Sequence, residues 1–183
     1  MKQVAVFLAE GFEEVEALTP VDVLRRAGIE VTTVSITGQA TVKGAHDIPV
    51  VADALFESIN FNTYDALILP GGMPGTNNLN AHAALRQLII DFADRNKILG
   101  AICAAPLILG ELGLLQNKKA VCYPGFEKHL KGATITNDAS IIDGHIITAN
   151  GIGSAMPFAL NLIRTLCSPE LANELAKKML VKT

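Results

Sequence analysis

Short apolar runs of strand length alternate along this chain with stretches whose apolar residues recur at helical spacing. Residues 4–8 form the first run. Residues 14–27 then read as a helix, with Val15, Leu18, Leu24 and Ala27 near helical spacing and Gly28 as a stop. Pro20 lies inside that helix and marks a place for a kink. Residues 29–35 predict a second strand, and Thr41-Val42 with Pro49-Val50-Val51 bracket a short hairpin excursion. Residues 64–69 predict a third core strand, halted by Pro70-Gly71-Gly72.

An amphipathic helix follows over 84–95, with Leu85, Leu88, Ile89 and Phe92 on one side, and then a strand over 98–102. Beyond it the pattern predicts a helix through Leu107, Ile108 and Leu112 that stops near Gly113, and a strand at 120–122 ending at Tyr123-Pro124-Gly125. Residues 141–147 read as a hairpin, because Asp143-Gly144 supplies the positive φ angles of a tight turn. Two helices close the chain, over 154–166 and 169–180, the second with Ser168 as N-cap and Pro169 in its first position. Strands alternating with helices predict an open, mostly parallel α/β sheet with helices on both faces, which binds ligands outside the carboxyl ends of its strands. Cys103, the Pro70-Gly71-Gly72 turn, the Gly11 loop and Tyr123 all fall at such ends.

Composition narrows the function classes. With 183 residues, 50% apolar and 18% charged, the chain can bury a substantial core, and a single domain over 1–183 is expected. Fifteen basic against 18 acidic residues, net charge -3, leave no electrostatic footprint for nucleic acid or an anionic membrane. No apolar run approaches the ~20 residues of a spanning helix. The N-terminus reaches Glu10 and Glu13 too soon for a signal peptide, so a soluble cytoplasmic protein with small-molecule or protein partners is expected. Cys103, Cys122 and Cys167 are widely spaced and form no C-x-x-C pair, which fits neither a disulfide framework nor a zinc ribbon.

Candidate chemistry concentrates on Cys103. A thiol lifted out of a sheet at the start of a helix meets free N–H groups and the positive dipole end, which favour the nucleophilic thiolate. Glu13 and Glu14 read as acidic decoration of a helix N-terminus, whereas Glu16 falls deeper, and spacing leaves open whether it faces the cysteine. Gly71-Gly72 reads either as a tight strand exit or as a place where a backbone N–H approaches a reacting oxygen, forming an oxyanion site with the N–H of Ala104.

Asn150-Gly151-Ile152-Gly153-Ser154 has Met156 where a dinucleotide fingerprint needs its third glycine, so a structural turn with a Ser154 cap is favoured over a phosphate cradle. The four histidines, His46, His82, His129 and His145, form no metal-binding pair, and no metal or cofactor is expected. Cys122, closing an apolar run, and Cys167, ending a helix, read as buried or incidental thiols.

The stretches Ala9-Glu10-Gly11-Phe12-Glu13-Glu14-Val15-Glu16, residues 20–28, Leu69-Pro70-Gly71-Gly72 and Ala101-Ile102-Cys103-Ala104 resemble the ThiJ/PfpI superfamily. Within it they look closest to the branch of the Parkinson-associated protein deglycase. The resemblance implies a flavodoxin-like three-layer sandwich and a homodimer. It maps the family's nucleophile onto Cys103 and its partner carboxyl onto Glu16, with the backbone of Gly72 and Ala104 around the reacting group. Gly71, Tyr123, Gly151 and Gly153 become substrate-pocket candidates. The family's histidine near the cysteine falls at Tyr123, which removes the imidazole base on which a Cys-His peptidase depends.

Charge repulsion makes one proton shared by the pair the favourable state, and with that proton on Glu16 the expectation is a Cys103 thiolate at neutral pH. The leading expectation is cofactor-independent handling of reactive 2-oxoaldehydes or their early glycation adducts on thiols and amines. A redox sensor or chaperone acting through oxidation of Cys103 is the alternative. A role in thiazole phosphate metabolism or a peptidase activity ranks below both.

Overall fold

The computed structural model describes residues 1–182. The first βαβ unit is β1 (Gln3–Leu8), α1 (Glu14–Arg26) and β2 (Glu30–Ser35), followed by the hairpin β3 (Thr41–Lys43) and β4 (Pro49–Val51) and by the edge strand β5 (Ala54–Leu55). The chain continues with β6 (Ala66–Leu69), α2 (Gly75–Ala81), α3 (Ala83–Asp94), β7 (Ile98–Ile102), α4 (Pro106–Glu111), β8 (Lys119–Ala120) and β9 (Thr134–Ile135). The last elements are β10 (Ser140–Asp143), β11 (Ile146–Ala149), α5 (Ala155–Leu166) and α6 (Pro169–Lys178).

Seven strands form the main sheet in the order β10-β11-β7-β6-β1-β2-β5, parallel throughout except for the antiparallel β10–β11 pair. Strand alternation divides the core into two layers. Val4, Val6 and Leu8 of β1 face a cluster with α1, α5 and α6, while Ala5 and Phe7 face a cluster with α3 and α4. Burial on both faces explains why the central strands read as unbroken apolar runs rather than alternating ones. The expected α/β sandwich, mostly parallel with helices on both faces, is the observed fold.

The chain moves from β1 to β2 on one side and then crosses back to β6 on the other, so the carboxyl ends of β1 and β6 diverge at a topological switch point. The turns after β1, β6 and β7 meet there.

Several expected elements change. Of the expected strand at 120–122 only Ala120 is extended, as the second residue of β8, which pairs with β9 outside the main sheet. Both sides of β11 are already occupied, by β10 and β7, so no ladder is open to it there, and the Val121 N–H instead donates to Thr148 Oγ1 at 3.0 Å. Helix α2 and strand β5 are additional; α2 begins Gly-Thr-Asn-Asn, a composition that reads as turn. Ser154 does not cap α5, because its hydroxyl is committed to Asn150 Oδ1 at 2.5 Å. Ser168 does cap α6, accepting from the Leu171 N–H at 3.2 Å. Helix α1 runs unbroken through Pro20, and its buried face is Glu14, Glu16, Ala17, Pro20, Val21, Val23 and Leu24, leaving Val15 and Leu18 exposed.

Phe158 of α5 wedges against the sheet at Gly100, where an added Cβ would lie 2.9 Å from its ring and 2.8 Å from Ile68. Phe158→Ala is expected to remove about 3–5 kcal/mol of stability, the range for emptying a core aromatic site. Urea unfolding measures this, and a loss below about 1 kcal/mol contradicts the packing described.

Candidate functional site

Cys103 is the first residue beyond β7 and takes a left-handed conformation, φ 64°. That conformation costs a non-glycine residue about 1–3 kcal/mol, so its surroundings must hold it. Its N–H donates to the Ala149 carbonyl at the end of β11 (2.9 Å), and its own carbonyl accepts the Tyr123 N–H (2.8 Å). With both backbone groups clamped, the half-buried thiol is aimed back across the switch point.

Glu16 comes from the first turn of α1 and is almost wholly buried, 1% exposed. Its carboxyl hydrogen-bonds the Cys103 thiol and accepts the Gly71 N–H at Oε2, 3.0 Å away. Gly71 fits only because it has no side chain: a Cβ there would lie 2.6 Å from both Cys103 Cβ and Glu16 Oε2. Gly72, at φ 88°, needs glycine for conformation and for space, since its Cβ would sit 2.4 Å from the Glu13 nitrogen. The backbone N–H groups of Gly72 and Ala104 act on the Cys103 sulfur in favour of its charged form. Three backbone N–H groups thus serve the two side chains.

Burial and the facing Glu16 charge weigh against the thiolate that the helix start and a proton shared with Glu16 led one to expect at Cys103. Helix α4 begins three residues later and is six residues long. Burial, the facing Glu16 charge and the Glu16 hydrogen bond push the Cys103 thiol up to about 12, against the lowering effect of the Gly72 and Ala104 N–H groups. Burial, with a contribution from the Glu13 charge, likewise pushes Glu16 up to about 7, although its bonds to Cys103 and Gly71 act the other way. The pair therefore releases its first proton near neutrality and retains the second well into the alkaline range. Near neutrality a thiolate exists here only as the partner of a protonated Glu16.

The other candidates divide. Tyr123 is joined to Cys103 through its backbone, and its half-exposed ring lies over Gly151, whose added Cβ would be 3.4 Å from Cδ2. Gly153 faces open space and is not drawn into the site. Cys122 is buried, with its thiol pushed up to about 11 by burial and the Glu127 charge, and Cys167 is exposed.

Glu14 is not helix decoration: its buried carboxylate accepts the His46 N–H (2.8 Å), and His46 Nδ1 lies 3.0 Å from Oε2. Glu13 joins this group at 3.5 Å from the same nitrogen. The three residues are close enough to hold a cation, but the Glu14 oxygens and the imidazole Nδ1 are already spent on one another, which describes an ion pair rather than a ligand set. Sequence reasoning passed over His46 because 32 residues separate it from Glu14.

The Glu16 shift carries a definite sign. A carboxyl raised from 4.5 to about 7 in the folded state gives stability that is fully present below 4.5 and lost as pH rises through about 7. Glu16→Gln abolishes this term. The stability of the variant relative to wild type is therefore expected to improve by up to about 3 kcal/mol between pH 4 and pH 8. Denaturant unfolding at both pH values measures it, and a pH-independent difference contradicts the assignment.

The DJ-1/PfpI family model matches residues 2–165. Protein DJ-1 homolog B of Arabidopsis thaliana is 38% identical over 99% of this chain, which spans only 42% of that longer relative. The Glutathione-independent glyoxalase DJR-1.2 of Caenorhabditis elegans is 32% identical over 93% of this chain and 91% of its own length. Among solved structures, oxidized DJ-1 from Toxoplasma gondii superposes with a TM-score of 0.95 at 35% identity, covering 100% of both chains. On these matches the chain belongs to the DJ-1/PfpI family.

Proposed function

We propose that this protein is a cofactor-independent enzyme acting on reactive 2-oxoaldehydes or their early glycation adducts, with Cys103 as nucleophile and Glu16 as proton carrier. The observation that carries this reading is the buried thiol–carboxyl contact at the switch point, with N–H groups on both sides of the sulfur. The glyoxalase named among its relatives supports the same class.

The steps balance. Cys103 sulfur adds to the aldehyde carbon of methylglyoxal, and the resulting oxyanion takes the Glu16 proton to give a hemithioacetal. The Glu16 carboxylate then removes the hydrogen from that carbon and returns it to the neighbouring carbonyl carbon, while the hydroxyl proton of the first carbon passes to the neighbouring oxygen, leaving a lactoyl thioester. The thioester so formed is hydrolysed by water, releasing lactate and restoring the thiol. Methylglyoxal plus water becomes lactate, with no external oxidant or reductant.

A second reading, oxidation of Cys103 to a sulfinate, is favoured by the same N–H groups of Gly72 and Ala104, which would bind the sulfinate oxygens, and by the Glu16 proton. Peroxide treatment followed by mass spectrometry distinguishes a tuned site from general damage. Oxidation spread evenly over Cys103, Cys122 and Cys167 argues against it.

The homodimer implied by the resemblance has a candidate surface. Val15 and Leu18 of α1, with Ile48 and Met156, line an apolar depression on the outside of the molecule. Self-association through this strip buries the apolar residues that α1 turns away from its own core.

Two measurements test these readings. Wild type is expected to convert methylglyoxal to lactate, with Cys103→Ser at background and Glu16→Gln reduced at least about 100-fold, the lower end for removing an acid–base group. Equal rates for wild type and Cys103→Ser defeat the enzyme reading. Sedimentation is expected to show a dimer for wild type and a monomer for Leu18→Glu, and a monomeric wild type refutes the dimer.

A further inference from the structure

The hairpin of β3 and β4 is fastened across the segment that leads into α1. The Gly11 N–H donates to the Lys43 carbonyl (2.8 Å), the Ala45 N–H to the Phe12 carbonyl (2.8 Å), and the His46 N–H to Glu14 Oε1 (2.8 Å). His46 closes the arrangement with its ring, whose Nδ1 lies 3.0 Å from Glu14 Oε2 and 3.5 Å from Glu13 Oε2. The ring is two-thirds exposed, whereas the carboxylates it touches are 6% and 14% exposed.

Glu13 also reaches the reacting pair. Its N–H donates to the Gly71 carbonyl at 2.9 Å, and the N–H of Gly71 donates to Glu16 at 3.0 Å, so one residue, Gly71, links the Glu13 backbone to the buried carboxyl. The Glu13 charge also acts on Glu16, raising its pKa. An uncompensated carboxylate in that place would oppose ionisation of a group already short of water.

We propose that His46 is a positioning residue for the Cys103–Glu16 pair: its imidazolium, clamped between Glu13 and Glu14, offsets the negative charge that Glu13 turns toward Glu16. The hydrogen bond to Glu14 and the charges of Glu13 and Glu14 hold the His46 pKa above its ordinary value, which favours the cation. The charged groups around it are Glu13 and Glu14 from α1 and Asp47 from its own hairpin, the last paired with Lys43. Those facing Glu16 are Glu13 and Cys103. The inference rests on the reading that this pair is the reacting centre, but its test reads the thiol and not turnover.

The test is the pH dependence of Cys103 alkylation by iodoacetamide, resolved from Cys122 and Cys167 by mass spectrometry. His46→Gln is expected to raise the lower midpoint by about half a pH unit, the size of one charge acting across a partly screened gap. His46→Lys, which keeps a cation against both carboxylates, is expected to restore it. Glu13→Gln is expected to lower the midpoint and to make a second His46→Gln change silent. Unshifted midpoints across these variants, even with lowered melting temperatures, overturn the proposal and leave His46 a structural staple. Shifted midpoints without methylglyoxal turnover support it and refute the reaction above.

Discussion

The site depends on one contact, between a thiol and a carboxyl that share a dry space with a single proton between them near neutrality. Either group ionised alone would be poorly solvated, and both ionised together would repel at close range. The three N–H groups of Gly71, Gly72 and Ala104 replace the water that is missing. Bringing them so near demands unusual backbone: no side chain at residue 71, φ 88° at Gly72 and φ 64° at Cys103. Those turns hold their geometry because β1, β6 and β7 beneath them are buried on both faces.

Helix α1 shows what the contact imposes on its surroundings. An ordinary covering helix turns apolar residues inward, yet the buried face of α1 includes Glu14 and Glu16 while Val15 and Leu18 point outward. Glu16 is committed to Cys103 and Gly71, and Glu14 to His46. The hairpin exists in part to supply that second partner, since a buried Glu14 without His46 would be an unpaired charge. Its carboxyl is held below the usual range by its bonds to His46 and backbone N–H groups, against burial, while Glu16, with no cation against it, moves the other way. Two carboxyls two positions apart in sequence, on the first turn of α1, are thereby shifted in opposite directions.

Features written in adjacent residues were legible before the fold. The apolar runs located the central strands, and a cysteine beyond one of them marked the place where the turns after β1, β6 and β7 meet. Gly71-Gly72 was legible as a close approach, though its two glycines serve different needs. Glu16 could be seen on the first turn of a helix but could be aimed at Cys103 only through resemblance, because orientation depends on how α1 docks. The partnership of Glu14 with His46 left no local trace, being made by a hairpin 32 residues away. Position 123 misled in a different way: an apolar run before it suggested a sheet strand, but β11 has no free edge to accept one. The expectation of a resting thiolate weighed the helix end and a proton shared with Glu16 but not the burial of the sulfur, which pushes the thiol pKa up in the folded protein.

Tyr123 in place of a histidine then constrains the chemistry. A phenol lacks the imidazole nitrogen that takes up a proton, so no imidazole relay can be built at that position. The proposed sequence nevertheless needs a proton given to an oxyanion and, one step later, a proton taken from carbon. A carboxyl with an unperturbed pKa would be a poor donor population for the first step, and one held far above neutrality would be too rarely ionised for the second. Glu16, set near 7 by burial and by the Glu13 charge, can do both within one turnover. The desolvation that makes the pair awkward to bury is thus what allows a single carboxyl to do the work of an acid and a base.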